Sequence, residues 1–208
     1  MHVQRDAPSA AVAYNQALAA TTAEIVVFVH HDVYLPPGWD RLLATRLAEV
    51  EATDPDWALF GAFGVGLDAA HIGPVWSSSL GQIVGRVPLA PVEVQSYDEL
   101  LIVLRRSSGL RFDQSLPGWH FYGTDIVAQA RARGLRVQGG LPCIHNDRFH
   151  PALGADFTEC YRYMQRNGAP RCRCAARSPR SAGRTAPPAR PLEGARLARV
   201  PPGLRRGH

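Results

Sequence analysis

The sequence predicts an α/β domain, in which buried strands alternate with amphipathic helices. The runs Ile25–Val29 and Leu100–Leu104 are apolar at every position, as expected of strands that are covered on both faces of a sheet. Between them, Trp39–Glu51 carries apolar residues at helical spacing and follows a Pro-Pro-Gly turn. A chain of 208 residues with 46% hydrophobic content is long enough to enclose the core of one such domain.

The remaining elements are predicted from local pattern and turn residues. Gly64–Ser79 is rich in glycine and serine and is predicted to be a long binding loop. Leu80–Val87 and Pro91–Gln95 are predicted to pair as a hairpin. In chain order, we predict a helix over Ala10–Ala20, a strand over Ile25–Val29, a helix over Trp39–Glu51, a strand over Trp57–Phe63, the loop, the hairpin, a strand over Leu100–Leu104, a loop over Arg105–Gly123, a helix that opens at Gly123-Thr124-Asp125 and closes at Gly134, and a strand over Leu135–Gln138.

The formal charge of +5 is divided unevenly along the chain. Residues 1–170 carry thirteen arginines and seventeen acidic residues, whereas residues 171–208 carry ten arginines and the single acid Glu193. The tail consists mainly of Arg, Ala, Pro, Gly and Ser and has no aromatic residue, so it cannot bury enough apolar surface to offset the entropy of ordering. We therefore predict a folded domain over residues 1–168 and a disordered Arg/Pro/Ala-rich tail over residues 169–208.

The role of this tail stays open between an appended or frame-shifted segment, a solvated linker and an arm that binds polyanions; no nucleic-acid partner is expected. No stretch approaches the roughly 18 to 20 apolar residues of a membrane span, and the first residues lack the apolar run of a signal peptide. We therefore expect a cytoplasmic protein without a transmembrane segment. The four cysteines do not have the spacing of a disulfide framework or a zinc site, and we expect reduced thiols.

Three polar clusters fall at predicted strand ends or at a helix start. In open α/β sheets, ligands bind beyond the carboxyl ends of the strands, so polar residues at these places predict a functional site. Each cluster also has a structural interpretation, such as a carboxylate that favours a helix N-terminus or a tryptophan of the core. The clusters are His30-His31-Asp32, Trp119-His120 with Asp125, and His145-Asn146-Asp147.

The residues around these clusters resemble a known enzyme family. The run from Ile25 to Trp39 resembles the metal-binding segment of family 2 glycosyltransferases of the GT-A fold, in which an apolar strand ends in an Asp-x-Asp type motif before a Pro-containing turn and a helix. The run from Leu110 to Val137 resembles the acceptor segment of that family, and His145 falls where many members have a histidine. The resemblance covers residues 10–150 and implies a Rossmann-like domain of three layers with a mixed, mainly parallel sheet.

The resemblance also implies a function. It implies transfer of a sugar from a nucleotide-diphosphate sugar to an acceptor hydroxyl, with inversion in a single displacement that depends on Mn²⁺ or Mg²⁺. The residues that it assigns are Asp32 and His145 to the metal, His30 and His31 to the donor, Trp119 and His120 to the acceptor, and Asp125 to the catalytic base.

The sequence departs from the family pattern at two places. His30 stands where the motif has its leading aspartate, and a histidine suits Mn²⁺ better than Mg²⁺. Only Met1–Ser9 precedes the first predicted helix, where family members have strands that hold the nucleotide. We therefore expect a domain that lacks these first strands and exposes a sheet edge, which a second copy of the chain would cover in a homo-oligomer.

Two alternatives to an active glycosyltransferase stay open. One is a truncated, catalytically inactive glycosyltransferase-like domain that binds a sugar or a partner. The other is a non-haem Fe(II) oxygenase, because His30, Asp32 and His145 have the two-histidine, one-carboxylate pattern of that class. Such oxygenases usually have alternating strands, whereas Ile25–Val29 is apolar throughout.

Overall fold

The computed structural model describes residues 6–147 and 154–168, which form two sheets with helices packed around them. The predicted tail at residues 169–208 lies outside the described residues. In chain order the elements are α1 (Ala10–Ala19), β1 (Ile25–Val29), β2 (Val33–Tyr34), α2 (Trp39–Thr53), β3 (Trp57–Gly61), β4 (Gly64–Gly66), β5 (His71–Ile72), β6 (Val75–Ser77), β7 (Gln82–Val84), β8 (Val92–Tyr97), β9 (Leu101–Arg105), a 3₁₀ turn (Arg106–Ser108), α3 (Tyr122–Ala132), β10 (Arg136–Gly139), β11 (Cys143–His145), α4 (Ala155–Tyr163) and a π-helical turn (Met164–Gly168).

The large sheet has seven strands in the order β1-β9-β3-β10-β8-β4-β5. The predicted mixed sheet is confirmed, but the prediction that it is mainly parallel is wrong. Within this sheet as described, β3 and β10 pair in parallel and the other neighbours pair antiparallel. The reason is topological, because β9 returns in the opposite direction and inserts between β1 and β3, which themselves run in the same direction.

The large sheet separates two apolar clusters, which accounts for the continuous apolar run of β9. Ile102 and Leu104 belong to the cluster that contains residues of α1 and α3. Leu101 and Val103, which alternate with them, belong to the cluster that contains residues of α2. All four side chains are at most 1% exposed. Helices thus pack on both faces, and burying each such side chain stabilises the fold by roughly 1.5 to 3 kcal/mol.

Most of the long elements agree with the sequence prediction, but the region between β3 and β9 does not. The predicted loop Gly64–Ser79 contains three short strands. The predicted hairpin is wrong as well, because β7 pairs with β6 while β8 pairs with β10 and β4. Gly64 pairs with both β8 and β5, and a glycine is needed at this position because a Cβ would overlap the carbonyl of Ser96 in β8.

A second sheet of four strands, in the order β2-β11-β6-β7, continues from the carboxyl end of β1. The indole N–H of Trp39, in the first turn of α2, donates to the carbonyl of Pro142 at 2.7 Å and so holds the segment that enters β11. Cys143 and Cys160 are buried free thiols, while Cys172 and Cys174 lie outside the described residues. Among the helices described, none has the length and apolar character needed to cross a membrane.

Candidate functional site

A tight turn after β1 places polar side chains next to one another. The His30 N–H donates to the carbonyl of Leu100 at 2.9 Å, which extends the ladder between β1 and β9 by one residue. The Val33 N–H donates back to the carbonyl of His30 at 3.1 Å and closes the turn. Within this turn, His30 Nδ1 lies 2.7 Å from Asp32 Oδ1. The His30-His31-Asp32 cluster thus lies at the carboxyl end of β1.

The second sheet brings another histidine to the same carboxylate. Val33 of β2 pairs with His145 of β11 in antiparallel register, and the Asn146 N–H donates to the carbonyl of Asp32 at 2.8 Å. His145 Nε2 consequently lies 3.3 Å from Asp32 Oδ2. The Asp32 carboxylate therefore has one histidine at each of its oxygens.

The two histidines stabilise the ionised form of Asp32. Partial burial by itself would raise the pKa of Asp32, but the hydrogen bond from His30 and the charges of His30 and His145 outweigh this effect and hold the pKa below its usual range. Asp32 is therefore ionised at neutral pH. Its side chain is 26% exposed, so a ligand can reach the carboxylate from solvent.

The donor set is suitable for a divalent cation. One ligand atom from each of His30, His31 and Asp32 lies within 4.8 Å of the others, and the rings of His30 and His31 have centroids 5.0 Å apart. Imidazole nitrogens together with a carboxylate suit Mn²⁺, whereas Mg²⁺ prefers oxygen ligands and keeps several waters. The residues present therefore fit Mn²⁺ better than Mg²⁺.

Asp147, two residues after His145, fixes the end of β11. Its Oδ2 accepts from Ser77 Oγ at 2.8 Å and from the Ser79 hydroxyl, and its Oδ1 accepts from the Ser79 N–H at 3.0 Å. Although burial would raise the pKa of Asp147, the bonds from the two serines hold that pKa well below its usual range. Ser77 also pairs with His145 in the parallel register of β6 and β11. The hydrogen bonds between Asp147 and the two serines, here called the Asp147 brace, therefore hold the strand that carries His145.

The two predicted acceptor residues precede α3 and have different surroundings. Trp119 is 40% exposed at the surface. His120 Nε2 lies 3.4 Å from Asp156 Oδ2 of α4, and its ring contacts Phe157 with a centroid distance of 5.3 Å. His120 also lines a cavity of about 230 Å³ beside the start of α3. His120 is thus part of the lining of this cavity, whereas Trp119 is not among its lining residues.

Asp125, which the resemblance assigns as the base, lies in the first turn of α3. Its side chain is 1% exposed, and Oδ2 accepts from Gln129 Nε2 at 2.7 Å. The Asp125 N–H donates to the carbonyl of Phe121 at 2.8 Å. These contacts join Asp125 to its own helix, and the structure does not bring it to the Asp32 cluster through a described contact.

A carboxylate that the sequence analysis missed, Glu99, lines the cavity beside α3 together with His120, Phe121 and Phe157. Glu99 Oε1 accepts from the Phe121 N–H at 2.6 Å. Burial, with a smaller contribution from the charge of Asp98, raises the pKa of Glu99 to about 7. Glu99 can therefore exchange a proton near neutral pH.

The topology explains why the sequence did not reveal Glu99. The residues predicted for the site follow strands or lie at a helix start, whereas Glu99 precedes β9. Because β9 is antiparallel to β1, with Leu101 opposite Val29, the start of β9 lies beside the end of β1. The available signal was the acidic pair Asp98-Glu99 immediately before a fully apolar run.

The chain is similar in sequence to a curated protein and similar in fold to a solved structure. The chain is 31% identical over 134 residues to "ATP synthase subunits region ORF 6" of Fuscovulum blasticum, a match that covers 60% of this chain and 51% of the relative. The chain thus spans about half the length of that relative. No protein-family model matches the sequence.

The structural likeness is to the crystal structure of GalNAc-T7 with UDP, GalNAc and Mn²⁺. The TM-score is 0.53 at 9% sequence identity, and the match covers 78% of this chain and 35% of that one. The chain has a glycosyltransferase-like fold. At this identity the likeness concerns the fold alone, and it agrees with the fold that the resemblance implied. The matched part is about a third of GalNAc-T7.

Proposed function

We propose that the chain is a glycosyltransferase that moves a sugar from a nucleotide-diphosphate sugar to an acceptor hydroxyl, with inversion and with the help of a divalent cation. The observation that carries this proposal is the Asp32 carboxylate, which has His30 and His145 at its two oxygens in a glycosyltransferase-like fold. This cluster lies at the carboxyl end of β1, where ligands bind in open α/β sheets.

Asp32 and His145 are the proposed metal ligands, with Mn²⁺ preferred to Mg²⁺ because of the imidazole nitrogen. A cation bound there would neutralise the negative charge that develops on the departing diphosphate. His30 holds Asp32 through its Nδ1, and we propose that it and the exposed His31 contact the donor. One ligand atom from each of His30 and His31 lies within 4.8 Å of an Asp32 carboxylate oxygen, so these histidines are further candidates for coordination.

The acceptor is proposed to bind near Trp119 and His120. An aromatic face packs on the apolar face of a sugar, and the exposed indole of Trp119 offers such a face. His120 lines the cavity, and its Nε2 lies 3.4 Å from Asp156 Oδ2. The resemblance assigns the catalytic base to Asp125, and this assignment stays a prediction that an Asp125→Asn variant tests.

A release assay tests the proposed function. The purified chain is incubated with Mn²⁺ and a panel of uridine, guanosine and thymidine diphosphate sugars, with methyl glycosides as acceptors, and the nucleoside diphosphate released is measured. We expect release from at least one donor, loss of release with a chelator, and loss in Asp32→Asn. Release that persists in Asp32→Asn, or no release from any donor, would contradict the proposal.

The alternatives make different predictions. The inactive binding domain predicts nucleotide binding without release. The Fe(II) oxygenase is supported by the contacts of His30 and His145 with Asp32. The fold does not favour it, because helices pack on both faces of a mixed sheet, whereas such oxygenases usually have alternating strands. It predicts oxygen consumption that depends on Fe(II) and 2-oxoglutarate.

The border strand β1 supports a proposal about assembly. In the sheet as described, β1 pairs with β9 on one side and forms the border on the other. An apolar border strand is a template for pairing with another strand. We propose that a second copy of the chain covers this border, and sedimentation should then give a dimer in which the amides of Ile25–Val29 exchange more slowly as concentration rises. A monomer with concentration-independent exchange would contradict this.

A further inference from the structure

The cavity beside α3 combines aromatic walls with a carboxylate, which is the combination that binds sugars. Phe63, Phe121 and Phe157 line it, and its polar lining includes His120 and two carboxylates, of which Asp98 is exposed and Glu99 is partly buried. Aromatic faces pack against the apolar face of a sugar ring, while a carboxylate accepts hydrogen bonds from its hydroxyls. The volume of about 230 Å³ is that of a small ligand site.

The backbone of three elements fixes Glu99 in this cavity. The residue after Glu99, Leu100, accepts the His30 N–H at 2.9 Å, so Glu99 is tied to the segment that carries the metal ligands. On the other side, Oε1 accepts the Phe121 N–H at 2.6 Å, with Phe121 in the left-handed conformation at φ 63°. Gly123 permits this approach, because a Cβ there would lie 3.1 Å from the carbonyl oxygens of Tyr97 and Asp98.

The Glu99 carboxylate can accept further hydrogen bonds besides the one from the start of α3. An ionised carboxylate has about four acceptor positions, and the bond to Phe121 uses one of them. Asp125 is placed differently, since it is 1% exposed and its Oδ2 is bonded to Gln129. Of the two carboxylates, Glu99 is the one that lines a cavity open to a ligand.

We propose that this cavity binds the hydroxyl-bearing acceptor and that Glu99 takes the proton from the reacting hydroxyl, a role that rests on the transferase function proposed above. In this step the acceptor O–H bond breaks and its proton passes to the Glu99 carboxylate. The acceptor oxygen forms a bond to the anomeric carbon, while the bond from that carbon to the diphosphate breaks and its electron pair leaves with the nucleoside diphosphate. Glu99 then returns the proton to water.

The surroundings of Glu99 suit a base that operates near neutral pH. The titratable groups that face it are Asp98 on its own segment, Tyr14 of α1, Tyr122 of α3, and His120 with its partner Asp156 of α4. The pKa of Glu99 is raised to about 7, so the carboxylate is available above that pH and binds the transferred proton well. Transfer should therefore rise with pH through a midpoint near this value.

The test is Glu99→Gln, because a glutamine carbonyl can still accept the Phe121 N–H while the side chain can no longer take a proton. We expect normal folding by circular dichroism, unchanged Mn²⁺-dependent UDP binding, and a kcat lower by about 10²- to 10⁴-fold with loss of the rise near pH 7. The matched control is Glu159→Gln, which changes an exposed carboxylate on α4 and should leave kcat unchanged. Retention of transfer by Glu99→Gln would overturn the proposal, and loss of transfer in Asp125→Asn would then favour Asp125 as the base.

A second measurement separates this proposal from the transferase function. Saturation-transfer NMR with methyl glycosides reports sugar binding without a donor, and we expect binding by the wild-type chain that is lost in Glu99→Ala. A wild-type chain that binds none of the glycosides would overturn the cavity assignment even if donor is consumed. Glycoside binding by a chain that releases no nucleoside diphosphate would overturn the transferase function and the base role, and would support the cavity as a sugar-binding site.

Discussion

Asp32 and His145 are 113 positions apart in the chain, yet His145 Nε2 lies 3.3 Å from Asp32 Oδ2. The pairing of β2 with β11 produces this contact, because Val33 and His145 are opposite each other in the ladder. The contact joins the strand-end turn to a segment near the end of the described domain. A metal site built on it therefore exists only when the second sheet has formed.

The brace at Asp147 should matter for metal binding. Asp147→Ala removes the acceptor for Ser77 and Ser79 and frees the end of β11, so His145 is held less firmly. Residues that orient a ligand typically change metal affinity by 10- to 100-fold, and we expect Mn²⁺ binding to weaken by about tenfold. Calorimetric titration with Mn²⁺ measures this. The control is Asp68→Ala, which removes a carboxylate that bonds within its own turn and to Arg86; equal affinities in the two variants would contradict the role of the brace.

The pKa of Glu99 predicts a pH dependence of stability. Its value of about 7 in the folded chain is above the ordinary 4.5, so the folded state binds this proton more tightly than the unfolded state. The stability contributed by protonated Glu99 is full below about pH 4.5 and is lost as the pH rises to about 7. Urea denaturation at pH 5 and pH 8 should show a larger loss in the wild type than in Glu99→Gln. Identical losses would show that Glu99 titrates normally.

The two-sided packing of β9 predicts a large cost for truncating Leu104. Its side chain has 0% exposure and packs among residues of α1 and α3. Leu104→Ala should lower the free energy of unfolding by about 2 to 5 kcal/mol, because the cavity cannot fully collapse. The same substitution at Leu67, which is 57% exposed, should cost less than about 1 kcal/mol. Chemical denaturation of both variants gives the comparison, and a small loss at Leu104 would contradict the buried position.

The sequence was sufficient for the long strands of the large sheet and for the helices between them. The apolar runs of β1 and β9 predicted strands, although in the border strand β1 only Phe28 is fully buried and the other side chains are partly buried. The α3 helix ends at Ala132, and Gly134, with a φ of 73°, lies just beyond it. The first polar cluster could be placed for the same reason, since a residue that follows a buried strand must lie at the sheet edge.

What the sequence could not predict depends on pairing between distant segments. The strands β4 to β7 have two or three residues each, which is too few for a periodic pattern. The glycines of β4 also favour a loop in the sequence prediction. The parallel or antiparallel direction of each neighbour depends on where β9 inserts. Glu99 was missed for this reason, because its position beside the end of β1 follows from the antiparallel pairing of Leu101 with Val29.

The central claim is that Asp32 holds the cation through which a nucleoside diphosphate binds. Calorimetric titration of the purified chain with UDP, in the presence of Mn²⁺ and after chelation, tests it most directly. The matched control for Asp32→Asn is Asp56→Asn, an exposed carboxylate just before β3 and therefore at the opposite end of the sheet. We predict binding that requires Mn²⁺ in the wild type and in Asp56→Asn and is lost in Asp32→Asn. Binding of UDP that is the same without Mn²⁺, or that survives in Asp32→Asn, would contradict the claim.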